Sequence, residues 1–284
     1  MRKTFIAAIS LCCAFASAQK LDNAVLWKIS GNGLKKPSYL MGTVHISCDA
    51  TLDKNILKAL DETKQLYLEY DMDSPTLSEE MSAQAFMKDG KKMSQLISPE
   101  DFKTVRDYVK KNFDLNLTTV EEYKPFMLTT MFYSKIIDCP VQSYERELIT
   151  VTKSQKEEVY GLETVKEQMQ VFEDIPYEVQ MQEIVRTTNG GFEKDIAEYK
   201  SMLDAYDHKD LNKLVEITKE TQNILFIKYR GILITNRNKM WISRIDKIAK
   251  ETPTFFGVGA LHLVGKEGVI KLLRKKGYKV EPVK

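Results

Sequence analysis

Compact apolar runs open and close the chain, and a long stretch of helical periodicity lies between them. Val25 to Ile29 forms the first run. After Asn32-Gly33, a strong hairpin-turn dipeptide, the run returns at Ser38 to Met41, which predicts two paired strands. From Leu52 to Thr63 the apolar positions Leu52, Ile56, Leu57 and Leu60 recur at helical spacing. "QLYLEY" then reads as a buried strand that runs into Glu69, with Asp71 close behind. Helices are predicted around 78–90, 100–112, 124–137 and 144–155, the second opened by Ser98-Pro99-Glu100 as N-cap and first turn. "EEVYGLE" is a short strand leading to Gly161-Leu162-Glu163, followed by a helix over 164–172. Residues 177–250 read as several helices broken near Asn189-Gly190-Gly191 and Asp207-His208. "TPTFFGVGALHLVG" is a strand and loop, Val269 to Lys276 a helix, and "YKVEPV" a last strand. No low-complexity linker interrupts the chain. The pattern predicts an α/β fold with a mainly parallel sheet, residues 19–284 as one domain, and a helical cap over about 75–250.

The two ends repeat one unit. "YLMGTVHIS", helix, "QLYLEY" has the same order as "FFGVGALHLVG", helix, "YKVEPV": strand, Gly-x-x-His, helix, strand. The chain has three histidines, and the repeat claims His45 and His262. Each falls just past the C-terminal end of its strand, the edge where parallel α/β sheets form ligand sites. A single Gly-x-x-His is ordinary turn chemistry around a satisfied histidine; a matched pair in the same context points to a shared site. Two neutral imidazoles with a carboxylate hold a divalent cation. His208, in "AYDHKD", reads as exposed.

Composition narrows the setting. Arg2 and Lys3, the apolar Phe5 to Phe15, and Ala16-Ser17-Ala18 read as a secretory signal over 1–18, cleaved after Ala18. The apolar run is too short for a bilayer core of roughly 30 Å. Loss of Arg2 and Lys3 takes Lys+Arg from 42 to 40, equal to Asp+Glu at 40, so the formal charge falls from +2 to 0. A neutral domain carries no nucleic-acid footprint. A secreted or periplasmic location, with no membrane insertion after cleavage, is expected. Cys48 and Cys139 are the two cysteines beyond the signal, and an oxidising compartment favours their pairing. Phosphate-loop, Gly-x-Ser-x-Gly and His-Glu-x-x-His patterns are all absent.

Gly42-Thr43-Val44-His45, "YLEYDM", "VYGLETVKEQ", "NRNKMW" and Gly259-Ala260-Leu261-His262 give the chain a likeness that spans essentially all of it beyond the signal. It resembles the TraB/GumN family, whose animal relatives are the Tiki proteins, within a wider erythromycin-esterase-like and ChaN-like grouping. The resemblance implies a divalent-metal-dependent, peptidase-like hydrolase acting on a peptide or protein. Its metal ligands would be His45, His262 and Glu69, with motif glycines Gly42 and Gly259. Glu163 is implied as base or ligand, and Arg237 with Asn238 as groups for a substrate carbonyl or oxyanion. On sequence alone Glu163 reads equally as a helix N-terminal acid, and Arg237 and Asn238 as a salt bridge and an N-cap. The Tiki branch tilts the metal toward manganese or cobalt, while mixed nitrogen and oxygen ligands also admit zinc or iron. Two other readings stay open: a non-catalytic peptide-signal or haem-binding protein of the same fold, and a small-ester hydrolase. The oligomeric state is left open.

Overall fold

A computed structural model describes residues 20–284; the signal segment lies outside the described residues. Six strands form one mixed sheet: β1 (Leu26–Ser30), β2 (Ser38–Thr43), β3 (Gln65–Leu68), β4 (Glu158–Gly161), β5 (Phe255–Gly259) and β6 (Lys279–Pro282). Their order is β4-β3-β5-β2-β1-β6. β4, β3, β5 and β2 are mutually parallel neighbours, with Leu68 opposite Gly161 and Thr43 opposite Gly259. β1 pairs antiparallel with β2, which confirms the hairpin, and β6 closes antiparallel on β1. The chain is therefore α/β, and its sheet carries both kinds of pairing. The two end units interleave: β5 lies between β2 and β3, the two strands of the first unit.

The strands are apolar on both sides because both faces are covered. Alternation sends Trp27, Ile29, Leu40, Phe256 and Val258 to one face, against Trp241, Ile245 and Leu273. Leu26, Met41, Leu66 and Phe255 go to the other, against Ile56, Leu60 and Leu148. A third cluster is wholly non-strand, built around Val105, Val109, Leu117, Leu128, Phe132 and Met181.

Local signals start the helices. Asp53 Oδ1 accepts from the Asn55 and Ile56 amides at 2.9 and 3.0 Å. Ser98 Oγ caps the helix Pro99–Phe113 by accepting from the Asp101 amide at 3.1 Å. Thr164 and Glu167 form a capping box at the start of Val165–Glu173, directly after Glu163. Two predicted helices are shorter than their periodicity. The first ends at Ala83, because the next residues bridge to another segment: Met87 N donates to Glu122 O at 2.8 Å and Lys124 N to Ala85 O at 2.8 Å. The helix predicted over 124–137 is regular only over Pro125–Phe132 and tightens into a 3₁₀ turn at Tyr133–Lys135.

Cys48 and Cys139 form a disulfide, which ties the loop after β2 to a segment 91 residues away. Ser47 and Gln142 pair through both backbone groups beside it, at 3.0 and 2.8 Å. Closing a loop this long restricts the unfolded chain. Replacing both cysteines with alanine is expected to lower the unfolding free energy by about 2–4 kcal/mol. Urea denaturation of the oxidised protein and the double variant measures this, and equal midpoints contradict it.

Candidate metal-binding and catalytic site

Four parallel strands end on one edge, and each delivers one residue there. His45 follows β2, Glu69 follows β3, Glu163 follows β4, and β5 ends in Gly259, with His262 on the short helix Ala260–Leu263. The helix Arg237–Glu251 lies beside this edge and adds Arg237, Asn238 and Trp241, all buried. It emerges from a π-helical turn, Gly231–Asn236, whose Leu233 carbonyl accepts from Arg237 Nη1 at 3.3 Å.

The Arg237 guanidinium is the hub. Its Nη2 donates to Glu69 Oε2 and to Glu163 Oε1, and its Nε donates to Glu163 Oε1 at 3.1 Å. Nη1 lies 3.2 Å from His262 Nε2, and Gln168 Oε1 lies 3.4 Å from Nη2. Trp241 covers this hub: its ring centroid is 4.8 Å from the guanidinium carbon and its Nε1 donates to Glu163 Oε2 at 3.1 Å. Burial pushes the Glu69 carboxyl up, but the charge of Arg237, helped by His45 and the Gly259 amide, holds it well below the usual carboxylate range. Glu163 goes the other way: burial raises it, and neighbouring Glu69 adds to that against the pull of Arg237.

Each histidine is oriented through Nδ1. His262 Nδ1 is 2.6 Å from Asn238 Oδ1, while Asn238 Nδ2 donates to the carbonyls of His262 and Glu267 at 3.0 and 2.8 Å. With Oδ1 as acceptor, Nδ1 carries the proton and Nε2 keeps a lone pair. Burial, reinforced by Arg237 and His45 against Glu69, lowers the His262 pKa to about 3, so the ring is neutral. His45 Nδ1 is 2.8 Å from Glu145 Oε1. Crowding around the ring lowers the His45 pKa, but the hydrogen bond and charge of Glu145 override this and raise it. The His45 side chain is 63% exposed, so water screens part of that effect.

The glycines of the two motifs have different tasks. A Cβ on Gly42 would lie 3.0 Å from Ala260 Cα and 3.1 Å from Leu263 Cδ2, so Gly42 lets the second unit pack against β2. A Cβ on Gly259 would lie 3.2 Å from Glu69 Oε1, 3.6 Å from His262 Cδ2 and 3.9 Å from His45 Nε2. A side chain at this position would touch all three expected ligands, and the Gly259 amide donates to Glu69 Oε1 at 2.8 Å.

Among the described residues, no three His, Cys, Asp or Glu side chains close around one point as a preformed metal cage. The donors nevertheless suit an ion. Atoms bound about 2.1 Å from a shared ion stand roughly 3–4 Å apart, and Glu69 Oε1 is 3.7 Å from His262 Nε2. The His262 lone pair that an ion needs faces Arg237 Nη1, so that contact and an ion compete.

A cleft of about 650 Å³ adjoins the cluster and is lined by Tyr67, Glu163, Glu167, Arg244 and Glu251. Asp71, just past Glu69 in the chain, lines this cleft. His208 is exposed, as expected. Sequence reasoning missed Glu145 and the part played by Trp241. Glu145 looks like any acid in a first helical turn, and only the fold brings it to His45.

The profile of the TraB/PrgY/gumN family matches residues 25–282. The chain belongs to that family. Among curated relatives, it is 20% identical over 324 residues to the zebrafish (Danio rerio) protein named Metalloprotease TIKI2, covering 95% of this chain and 62% of that one. It is 23% identical over 326 residues to Danio rerio Metalloprotease TIKI1, covering 95% and 65%, and 21% identical to Xenopus tropicalis Metalloprotease TIKI2, covering 95% and 61%. The chain thus spans less than two thirds of these relatives' length. No solved structure matches it.

Breaking the hub tests the geometry. Arg237→Met leaves Glu163, whose side chain is fully buried, without its counter-charge. The expected cost is about 3–5 kcal/mol. Adding Glu163→Gln should recover part of the loss in urea denaturation; a double variant no more stable than the single one contradicts the shared-charge account.

Proposed function

We propose that this chain is a divalent-metal-dependent hydrolase of peptide bonds. The observation that carries the reading is the convergence on Gly259 of His45 Nε2, the His262 ring and Glu69 Oε1. Each ring is held at Nδ1 by a buried acceptor. That is the arrangement ligating histidines use: the hydrogen bond on one nitrogen selects the other for the metal. The relatives' name, Metalloprotease, supports the same class.

His45, His262 and Glu69 would hold the ion, with manganese or cobalt preferred. When bound, the ion supplies Lewis-acid polarisation of a substrate carbonyl and a more acidic water. The chain's own residues set the rest. Glu69 is a ligand rather than a base, because Arg237 and the Gly259 amide occupy both its oxygens and keep it ionised. Glu163 holds Arg237 in place. Asn238 is fully buried with its amide committed, so it orients His262 and leaves substrate contact to other groups. The cleft beside Glu163 would receive the substrate, shaped by the helices Val165–Glu173 and Arg237–Glu251 that line it; the expected cap over about 75–250 is not purely helical, because β4 within it joins the sheet. Export through the cleaved signal suits the disulfide; among the described residues no helix is long and apolar enough to cross a membrane.

One observation favours a second reading. Arg237 already neutralises part of the acidic charge, and on that ground the alternative is a peptide-signal binder that needs no metal. Metal analysis separates the two. The protein should take up close to one manganese or cobalt ion per chain, and His45→Ala and His262→Ala should each abolish uptake while remaining folded. Loaded protein should cleave members of a peptide library. Absence of stoichiometric metal under any condition rules out the hydrolase; metal without cleavage favours the binder. Gly259→Ala gives a finer check. Its φ of −50° accommodates a side chain, so the variant should fold but bind metal more weakly.

A further inference from the structure

Glu145 is a buried acid outside the expected ligand set, 100 residues from His45 in sequence. It lies in the first turn of the helix Tyr144–Ser154, and its side chain is 4% exposed. An acid there would ordinarily turn to solvent or to the helix's free amides. Glu145 does neither. Its Oε1 accepts from Thr43 Oγ1 at 2.6 Å and faces His45 Nδ1 at 2.8 Å, and its Oε2 accepts from Ser143 Oγ at 2.6 Å. Two of these partners, Thr43 and His45, belong to the first Gly-x-x-His motif itself.

The segment before Glu145 is fastened to the His45 loop at several points. The disulfide joins Cys139 to Cys48, Gln142 pairs with Ser47, and Gln142 Oε1 accepts from the Ala50 amide at 3.0 Å. The carboxylate is thus delivered to the imidazole by a braced element.

We infer that Glu145 is the positioning residue of His45: its Oε1 accepts the hydrogen bond from Nδ1–H and so directs Nε2 toward Glu69 and His262. The identity of what Nε2 meets rests on the hydrolase reading; the ring orientation is a property of the chain alone. The two motifs use different orienting groups. Thr43 of the first motif shares the acid with His45, whereas the second motif has Ala260 in the matching place and its histidine relies on the Asn238 amide. The repeat is therefore symmetric in its histidines and asymmetric in what aims them.

The test uses Glu145→Ala and Glu145→Gln with two readouts. In metal-free protein with ¹⁵N-labelled histidine, the His45 Nδ1 proton should exchange slowly in the parent chain, persist with Gln, whose amide oxygen still accepts, and be lost with Ala. Calorimetric titration with cobalt(II) should show about 10–100-fold weaker binding for Ala and a smaller loss for Gln. Circular dichroism establishes that each variant is folded; if the Ala variant is not, the Gln variant carries the test, through a retained proton and an affinity loss of less than tenfold. Parent-like protection of the proton and parent-like affinity in folded Glu145→Ala overturn the assignment, as does a Gln variant that loses the proton. A parent chain that binds no cobalt defeats the hydrolase reading but leaves the proton measurement to decide Glu145.

Discussion

Two buried carboxylates share one guanidinium at the sheet edge, and the rest of the site is arranged around that sharing. Glu69 and Glu163 come from neighbouring strands, and Arg237 bridges them from a helix that packs across the edge. Removing such charges from water is costly unless each finds a partner. Trp241 completes the enclosure by stacking over the guanidinium and donating to Glu163. Arg237 holds Glu69 well below the usual carboxylate range, while burial and neighbouring Glu69 push Glu163 up, so one guanidinium serves two unequal acids. The two histidines stand beside this trio, His262 with its Nε2 3.2 Å from Arg237 Nη1 and 3.7 Å from Glu69 Oε1.

The sheet makes this possible by ending four parallel strands together. Neighbouring strands stand about 4.8 Å apart, so residues just past their ends fall within side-chain reach of one another. The order β4-β3-β5-β2 places Glu163, Glu69, Gly259 and His45 in a row. The second histidine then reaches back over Gly259 from its short helix. Gly42 and Gly259 are needed for different reasons, one for the packing of two units and one for room among three polar side chains.

Much of this was legible in the chain. The hairpin, the four site strands and the paired histidines follow from short-range patterns: Asn32-Gly33, dense apolar runs, and Gly-x-x-His after a strand. The cysteine pairing followed from compartment chemistry, and Glu69, Glu163, Arg237 and Asn238 from family resemblance. What was not legible depends on distant partners. The helix that stops at Ala83 is cut short by pairing with residues near Tyr123, which no local period signals. Asn238 reads as a cap, yet its amide is consumed by His262 and Glu267. Glu145 reads as a helix-dipole acid until the disulfide and the Ser47–Gln142 bridge bring it to His45.

X-ray absorption of the cobalt-loaded protein at the cobalt edge is the most direct measurement of whether this edge is a metal centre. The account predicts a shell of nitrogen and oxygen near 2.1 Å with the outer-shell scattering of two imidazoles. It predicts that His45→Ala and His262→Ala each lose the bound metal and with it the imidazole scattering. A spectrum of hydrated cobalt with no imidazole contribution, unchanged in both variants, would contradict it.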